Sequence, residues 1–428
     1  MSYDSTSGKT DLTRRGVLAA AATLAAARAA LPGGAHAAGK GPETTKAKLG
    51  FIALTDASPL IIAKELGLFT KYGMPDVEVL KQASWASVRD NLVLGSDGGG
   101  IDGSHILTPM PYLISTGAAT GGKQVPMYIL ARLNLNGQAI SVGNDLKAVK
   151  VGLNSGGAKA KFAQLKAANN IAKVAMTFRG GTHDLWVRYW LAAGGINPET
   201  DCSMIVIPPP QMVANLKAGT QDAFCVGEPW NAQTVTQKIG YTACLTSEIW
   251  MNHPEKALGM RADWVDKHPN AAKAILAAVM EAQIWCDKMG NRPQMCSVVS
   301  ARQYINVPMG DILPRLQGSI DFGDGRVLKS SPHIMKFWND NASFPFKSHD
   351  LWFLTEDERW GALPPSTNKA ALINKVNRSD MWREVAKTLN ILAPASDSRG
   401  LEKFFDGKVF DPANPDAYLA SQPIRKVA

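Results

Sequence analysis

The chain has 428 residues, 45% of them hydrophobic and 19% charged, enough for two or three compact domains with cores of their own. Its 46 Lys and Arg against 37 Asp and Glu give +9, yet no basic run concentrates that charge. The composition therefore excludes a nucleic-acid footprint and leaves a mildly cationic surface able to attract anions. No apolar stretch beyond residue 40 reaches the ~18–20 residues that span a bilayer, which excludes a channel or permease.

The first elements are an address. Thr13-Arg14-Arg15-Gly16-Val17-Leu18 sets two arginines ahead of an Ala/Leu-rich stretch ending at Leu31, and Ala35-His36-Ala37 supplies the small residues of a cleavage site. This reads as a twin-arginine export signal over residues 1–37. The first cysteine is Cys202, far from the cleavage point, so the expectation is a soluble periplasmic protein with no lipid anchor. The five cysteines (202, 225, 244, 286 and 296) lack metal-knuckle spacing. One disulfide is compatible with an oxidising compartment, but Cys225 and Cys244 lie in apolar runs and read as small buried hydrophobes.

Beyond the address, short apolar runs alternate with helical patterns. Strand Lys48–Leu54, helix Leu60–Tyr72, strand Val77–Leu80, helix Ala86–Leu94 and strand Gly100–Ile106 open the series, and Met110–Thr116 and Pro126–Ala131 continue it. A second series runs through strand Lys150–Asn154, helix Ala158–Ala168, strand Val174–Phe178, helix Thr182–Ala193 and strand Met204–Ile207. Helix Gln211–Ala218 and strands Ala223–Val226 and Tyr241–Leu245 complete it. The alternation predicts an α/β fold of parallel sheets in two similar lobes, with ligand bound between them beyond the carboxyl ends of the strands. The boundaries are 46–140 for the first part of lobe I, 141–258 for lobe II, and 259–428 for a return to lobe I with a mostly helical extension. The extension, with a long helix over Ala262–Met289 and another over Asn374–Leu389, is expected to pack on the first lobe and carry no chemistry.

No nucleophile elbow, zinc-protease motif, Cys-x-x-Cys or Walker loop occurs, so no catalytic residue, metal or cofactor is expected. Gly98-Gly99-Gly100 reads as a turn, and Trp186 and Trp190 as core. Five places where strands end or the chain changes lobe are informative: Leu54-Thr55-Asp56 at the close of the first strand, and Trp85, Gln138, His183 and Lys256. Each has a plain structural explanation. Apart from Asp56, they form a set of hydrogen-bond donors joined by helix N-termini, which suits a small oxyanion.

Several long runs resemble the periplasmic nitrate-binding proteins of ABC importers. They are Lys81–Trp85, Arg89–Ser96, Ile106–Tyr112, Gly180–Trp186, Cys225–Trp230, His253–Ala257, Gly259–Trp264 and Lys347–Thr355. The resemblance implies a two-lobed type II periplasmic binding fold and an anion held by Trp85, Gln138, His183 and Lys256. It also implies backbone amides at Ala86 and Ser87, although the family usually has Gly where Ala86 stands. The bicarbonate branch carries Glu in place of Lys256 and uses calcium beside it, so Lys256 favours nitrate, with nitrite as a second ligand. The implied partners are a membrane permease and its ATPase, and the protein is expected as a monomer. A bicarbonate binder or a nitrate/nitrite sensor is the alternative, and the export signal argues against the sensor.

Overall fold

The computed structural model describes residues 41–426; the export signal expected over 1–37 lies outside them. Strands β1 (Lys46–Phe51), β2 (Asp76–Lys81), β3 (Gly103–Leu107), β4 (Met127–Arg132) and β10 (Lys256–Arg261) form one sheet, in the order β2-β1-β3-β10-β4. Strands β5 (Gln138–Gly143), β6 (Lys173–Met176), β7 (Ser203–Val206), β8 (Ala223–Gly227) and β9 (Gly240–Leu245) form the other, in the order β7-β6-β8-β5-β9. Substituting β6, β7, β8, β5 and β9 for β1, β2, β3, β10 and β4 turns one order into the other. The two lobes share a topology that their sequences do not display.

The sheets are not wholly parallel. β10 runs antiparallel to β3 and β4, and β5 runs antiparallel to β8 and β9. Both reversed strands are the ones the chain enters after crossing between lobes. A crossing chain arrives from the side where the parallel strands end, so it must run back into its new sheet. Gln138 and Lys256, the first residues of β5 and β10, are thereby set at the cleft. The crossings themselves pair, with Leu135 bridging Pro254.

Lys150–Asn154, expected as a strand, is a turn followed by a 3-10 helix over Ser155–Ala158. Lys150 sits at φ +52, which extended structure does not allow. The strand in this region is β5, buried at all six positions. The long helix expected from Ala262 breaks at His268, giving Ala262–Lys267 and Pro269–Asp287. Pro269 disfavours helical geometry in the residue before it while suiting the first turn of the next helix. The helix expected over Asn374–Leu389 likewise divides into Lys369–Val376 and Ser379–Thr388.

The extension packs on both lobes, not on the first alone. Phe346, Leu354 and Trp382 join the core of the first lobe, while Trp352, Phe353, Trp360 and Phe404 join that of the second. Helix Lys347–Arg359 thus spans the two. Its Asp350 pairs with buried Arg132 at the end of β4, and its Trp352 stacks on Trp186 at 4.9 Å. Gln283 donates to the carbonyls of Arg132 and Leu133, where the chain leaves β4 for the first crossing, and to that of Phe337 in the extension. All five cysteines are buried and free.

Candidate functional site

Polar residues gather where the strands point at each other. Beyond β1 the chain turns through Thr55 and Asp56. Beyond β2, Ser84 caps the helix Trp85–Leu94, its hydroxyl accepting from the Ser87 amide at 3.1 Å. That cap engages the Ser87 amide and leaves Ala86 to offer the helix's first turn. Beyond β6, Thr177 leads into a turn at Gly180 (φ +71) and the helix Thr182–Ala193, with His183 in its first turn.

Trp85, Gln138, His183 and Lys256 are all buried and come together. Lys256 Nζ lies 5.9 Å from the centre of the Trp85 ring, 3.0 Å from Asp56 Oδ2 and 2.8 Å from Glu255 Oε1. Gln138 Nε2 donates to Asp56 Oδ2 at 2.9 Å, joining the second lobe to the first. Gln138 Oε1 lies 2.7 Å from His183 Nε2, and His183 Nδ1 lies 2.6 Å from Thr177 Oγ1. Gly227, opposite Gln138 in the ladder, gives this amide its room: a Cβ there would stand 2.6 Å from Gln138 Oε1.

Three residues outside the expected set complete the cluster. Asp56 Oδ1 meets His105 Nε2 at 2.6 Å. Glu255 accepts from the Thr182 hydroxyl, and from Trp186 Nε1 at 2.8 Å. Trp186 is therefore both core and a support of this polar cluster. Asp56 and Glu255 had a sequence signal, since one ends the first strand and the other adjoins Lys256. His105 had none, lying inside a strand buried throughout.

The charges are held in place by burial and pairing. Burial works to discharge Lys256, but Asp56 and Glu255 outweigh it and hold the ammonium above the ordinary lysine value. Burial works to raise Asp56 too, and Lys256 and His105 hold it below the usual carboxylate range. Glu255 goes the other way: desolvation exceeds the pull of Lys256, so its carboxyl is raised. Burial, followed by Lys256, pushes His183 well below the usual histidine value.

Several buried polar atoms lack a partner, and three of them, on Thr55, Trp85 and His105, belong to this cluster. Neither the indole Nε1 of Trp85 nor the Thr55 hydroxyl makes a hydrogen bond among the described residues. Buried polar atoms are nearly always paired, so an unmatched donor in such a cluster is open to an acceptor from water or a ligand.

Two α/β lobes closing on a buried lysine with unmatched donors define a solute-binding protein of the periplasmic binding-protein fold. Comparison with known proteins gives the particular family. Residues 40–300 match the NMT1-like family. The chain is 60% identical to the nitrate/nitrite binding protein NrtA of Synechocystis over 90% of its length and 86% of that protein. The crystal structure of the periplasmic nitrate-binding protein NrtA from Synechocystis superposes with a TM-score of 0.88 at 60% identity, covering 90% of this chain and 100% of that one. The bicarbonate-binding protein CmpA of Synechococcus elongatus is 43% identical over 90% of this chain and 88% of its own. A region of the nitrate import ATP-binding protein NrtC of Synechocystis, 56% of that protein, is 34% identical over 89% of this chain. The chain belongs to the NMT1-like family and, within it, to the group that holds these nitrate- and bicarbonate-binding proteins.

Proposed function

We propose that the chain is the periplasmic solute-binding component of an ABC importer, capturing nitrate, and nitrite with it, and delivering the anion to a membrane permease and its ATPase. The observation that carries this reading is the buried Lys256 ammonium beside the unmatched Trp85 indole. In the proposed complex Lys256 and Trp85 donate directly to the anion oxygens, joined by the second N–H of Gln138 and the amide of Ala86. Ser87 contributes through the capped turn. His183 has both ring nitrogens engaged by Gln138 and Thr177, so it acts by aiming the Gln138 amide; to donate to the anion itself it needs Gln138 to turn its carbonyl away.

One ammonium and one anion ~4 Å apart attract by roughly 4 kcal/mol at an effective dielectric near 20. Micromolar affinity needs about 8 kcal/mol, so the neutral donors and the closure of the lobes supply the rest. Closure on the anion is the signal the permease reads: ligand binding favours the closed arrangement, in which Gln138 reaches Asp56 across the lobes. Export by the twin-arginine route, already folded and without a lipid anchor, belongs to the same reading.

Bicarbonate is the second candidate, and Lys256 opposes it, because a lysine supplies directly the positive charge that the bicarbonate branch obtains from calcium. Calorimetry of residues 38–428 with nitrate, nitrite and bicarbonate, with and without calcium, tests the assignment. Micromolar or tighter nitrate binding that ignores a chelator is the expected result, and Lys256→Glu should abolish it. Calcium-dependent heat with bicarbonate and none with nitrate would overturn it.

A further inference from the structure

Lys256 faces two carboxylates. Its ammonium lies between Asp56 Oδ2 and Glu255 Oε1, and all three side chains have no exposed surface. The groups facing Glu255 come from four sides. Its own segment supplies Lys256 and His253, whose Nδ1 is 3.8 Å from Oε2. The helix Thr182–Ala193 supplies Thr182, Trp186 and His183, whose Nε2 is 3.7 Å from Oε1. The first lobe supplies Asp56 across the ammonium, and β8 supplies the Cys225 thiol. The one permanent cation among these is Lys256. With both carboxylates ionised the cluster is already negative by one charge before an anion arrives.

A bound anion would double that excess where no water screens it. One group must take up a proton. Asp56 is fastened as a carboxylate by His105, Gln138 and Lys256. Burial sets His253 down to about 3, and its Nδ1 already faces the Pro254 carbonyl at 3.0 Å. His183 is locked between Gln138 and Thr177. His105 is tied to Asp56 Oδ1 at 2.6 Å, on the other carboxylate oxygen from Lys256, and burial pushes its imidazole down. Glu255 remains, with its Oε1 on the side of Lys256 where the anion must sit.

On the nitrate reading above, we propose that Glu255 is the proton carrier of this site, so that each anion is bound together with one proton. The bond formed is an O–H on Glu255, the proton coming from solvent, and nothing is oxidised or reduced. The ammonium then turns its charge from Glu255 to the anion. The neutral acid still accepts from Trp186 through Oε2 and gains a donor on the Oε1 side, so the carboxylate changes from a competitor for Lys256 into a further donor. Burial, which raises the Glu255 carboxyl, works in the same direction.

The test is calorimetric titration of the purified protein with sodium nitrate in pairs of buffers that differ in ionisation enthalpy, from about pH 6 to about pH 9. The expected result is a proton uptake approaching one per anion at the alkaline end, with affinity falling up to about tenfold per pH unit there. Glu255→Gln keeps the shape and mimics the neutral acid; it should bind nitrate with no proton uptake and a flat pH profile. A purely structural Glu255 would not move the proton number. Equal heats in both buffers throughout the range overturn the proposal, with or without a folded variant, as does a Glu255→Gln protein that binds with uptake unchanged. No nitrate heat in any buffer would instead overturn the substrate reading on which it rests.

Discussion

Asp56 reaches His183 through a single amide and thereby decides which nitrogen of that imidazole carries the proton. A carboxylate can only accept, so the Gln138 NH2 faces Asp56 and the Gln138 carbonyl faces His183. His183 Nε2 must then be the N–H, and Nδ1 accepts from the Thr177 hydroxyl. The first lobe thus sets the tautomer of a residue in the second.

Replacing Asp56 with Asn should release this order. The Asn amide can face Gln138 either way, so the Nε2–H tautomer loses its enforcement and Lys256 loses one of its two anions. The imidazole nitrogen shifts of His183 report it by NMR: a single Nε2–H species in the parent, a mixture in the variant. A pure Nε2–H signal in the variant would show that Thr177 alone suffices.

Trp85→Phe separates binding from folding. The Trp85 indole N–H has no partner among the described residues, so its removal costs the protein no internal hydrogen bond. Affinity for nitrate should drop about tenfold, ~1.4 kcal/mol, with thermal stability little changed. Trp186→Phe is the contrast. It removes the 2.8 Å bond to Glu255 from a packed aromatic cluster and should lower the melting temperature.

A cavity between the lobes, to which Ala86 contributes, carries charge. It measures about 380 Å³ and lies between Ala86 and Arg89 of the first lobe, Phe178, Arg179 and Val206 of the second, and Ala362 of the extension. Arg89 is paired with Asp90, while Arg179 is exposed and has no ion-pair partner among the described residues. An unpaired cation beside such a cavity speeds anion encounter more than it holds the bound state. Arg179→Glu should slow nitrate association several-fold at low salt and leave dissociation nearly unchanged, as stopped-flow Trp fluorescence would show. The difference should shrink as salt is added.

Acid should loosen the extension at Glu402. This carboxylate accepts from Arg399, Trp250 and His349. Burial alone would raise it, but His349 and Arg399 hold it at about 2. Because the folded value lies below the unfolded one, the stabilisation is full above about pH 4.5 and is lost as pH falls towards 2. Glu402→Gln should therefore cost about 2–3 kcal/mol near neutrality and much less at about pH 2, read by denaturant titration at both values.

The sequence by itself determined the lobes, most of their strands and helices, and four residues that meet at the cleft. Alternating apolar runs are local signals, and so are a glycine turn before His183 and a capping serine before Trp85. Its long runs also carried the family. What the tertiary structure decided is how charge is balanced around Lys256. Asp56, His105 and Glu255 come from three separate segments; the place of Asp56 at a strand end and of Glu255 beside Lys256 is visible locally, but the pairing of Asp56 with a lysine two hundred residues away, and any part for His105, is not. The reversal of β5 and β10 was hidden for the same reason: strand direction depends on where a crossing chain re-enters, which is a property of the closed fold. The extension's grip on both lobes was hidden too, because an aromatic run shows that it will be buried without showing against which core.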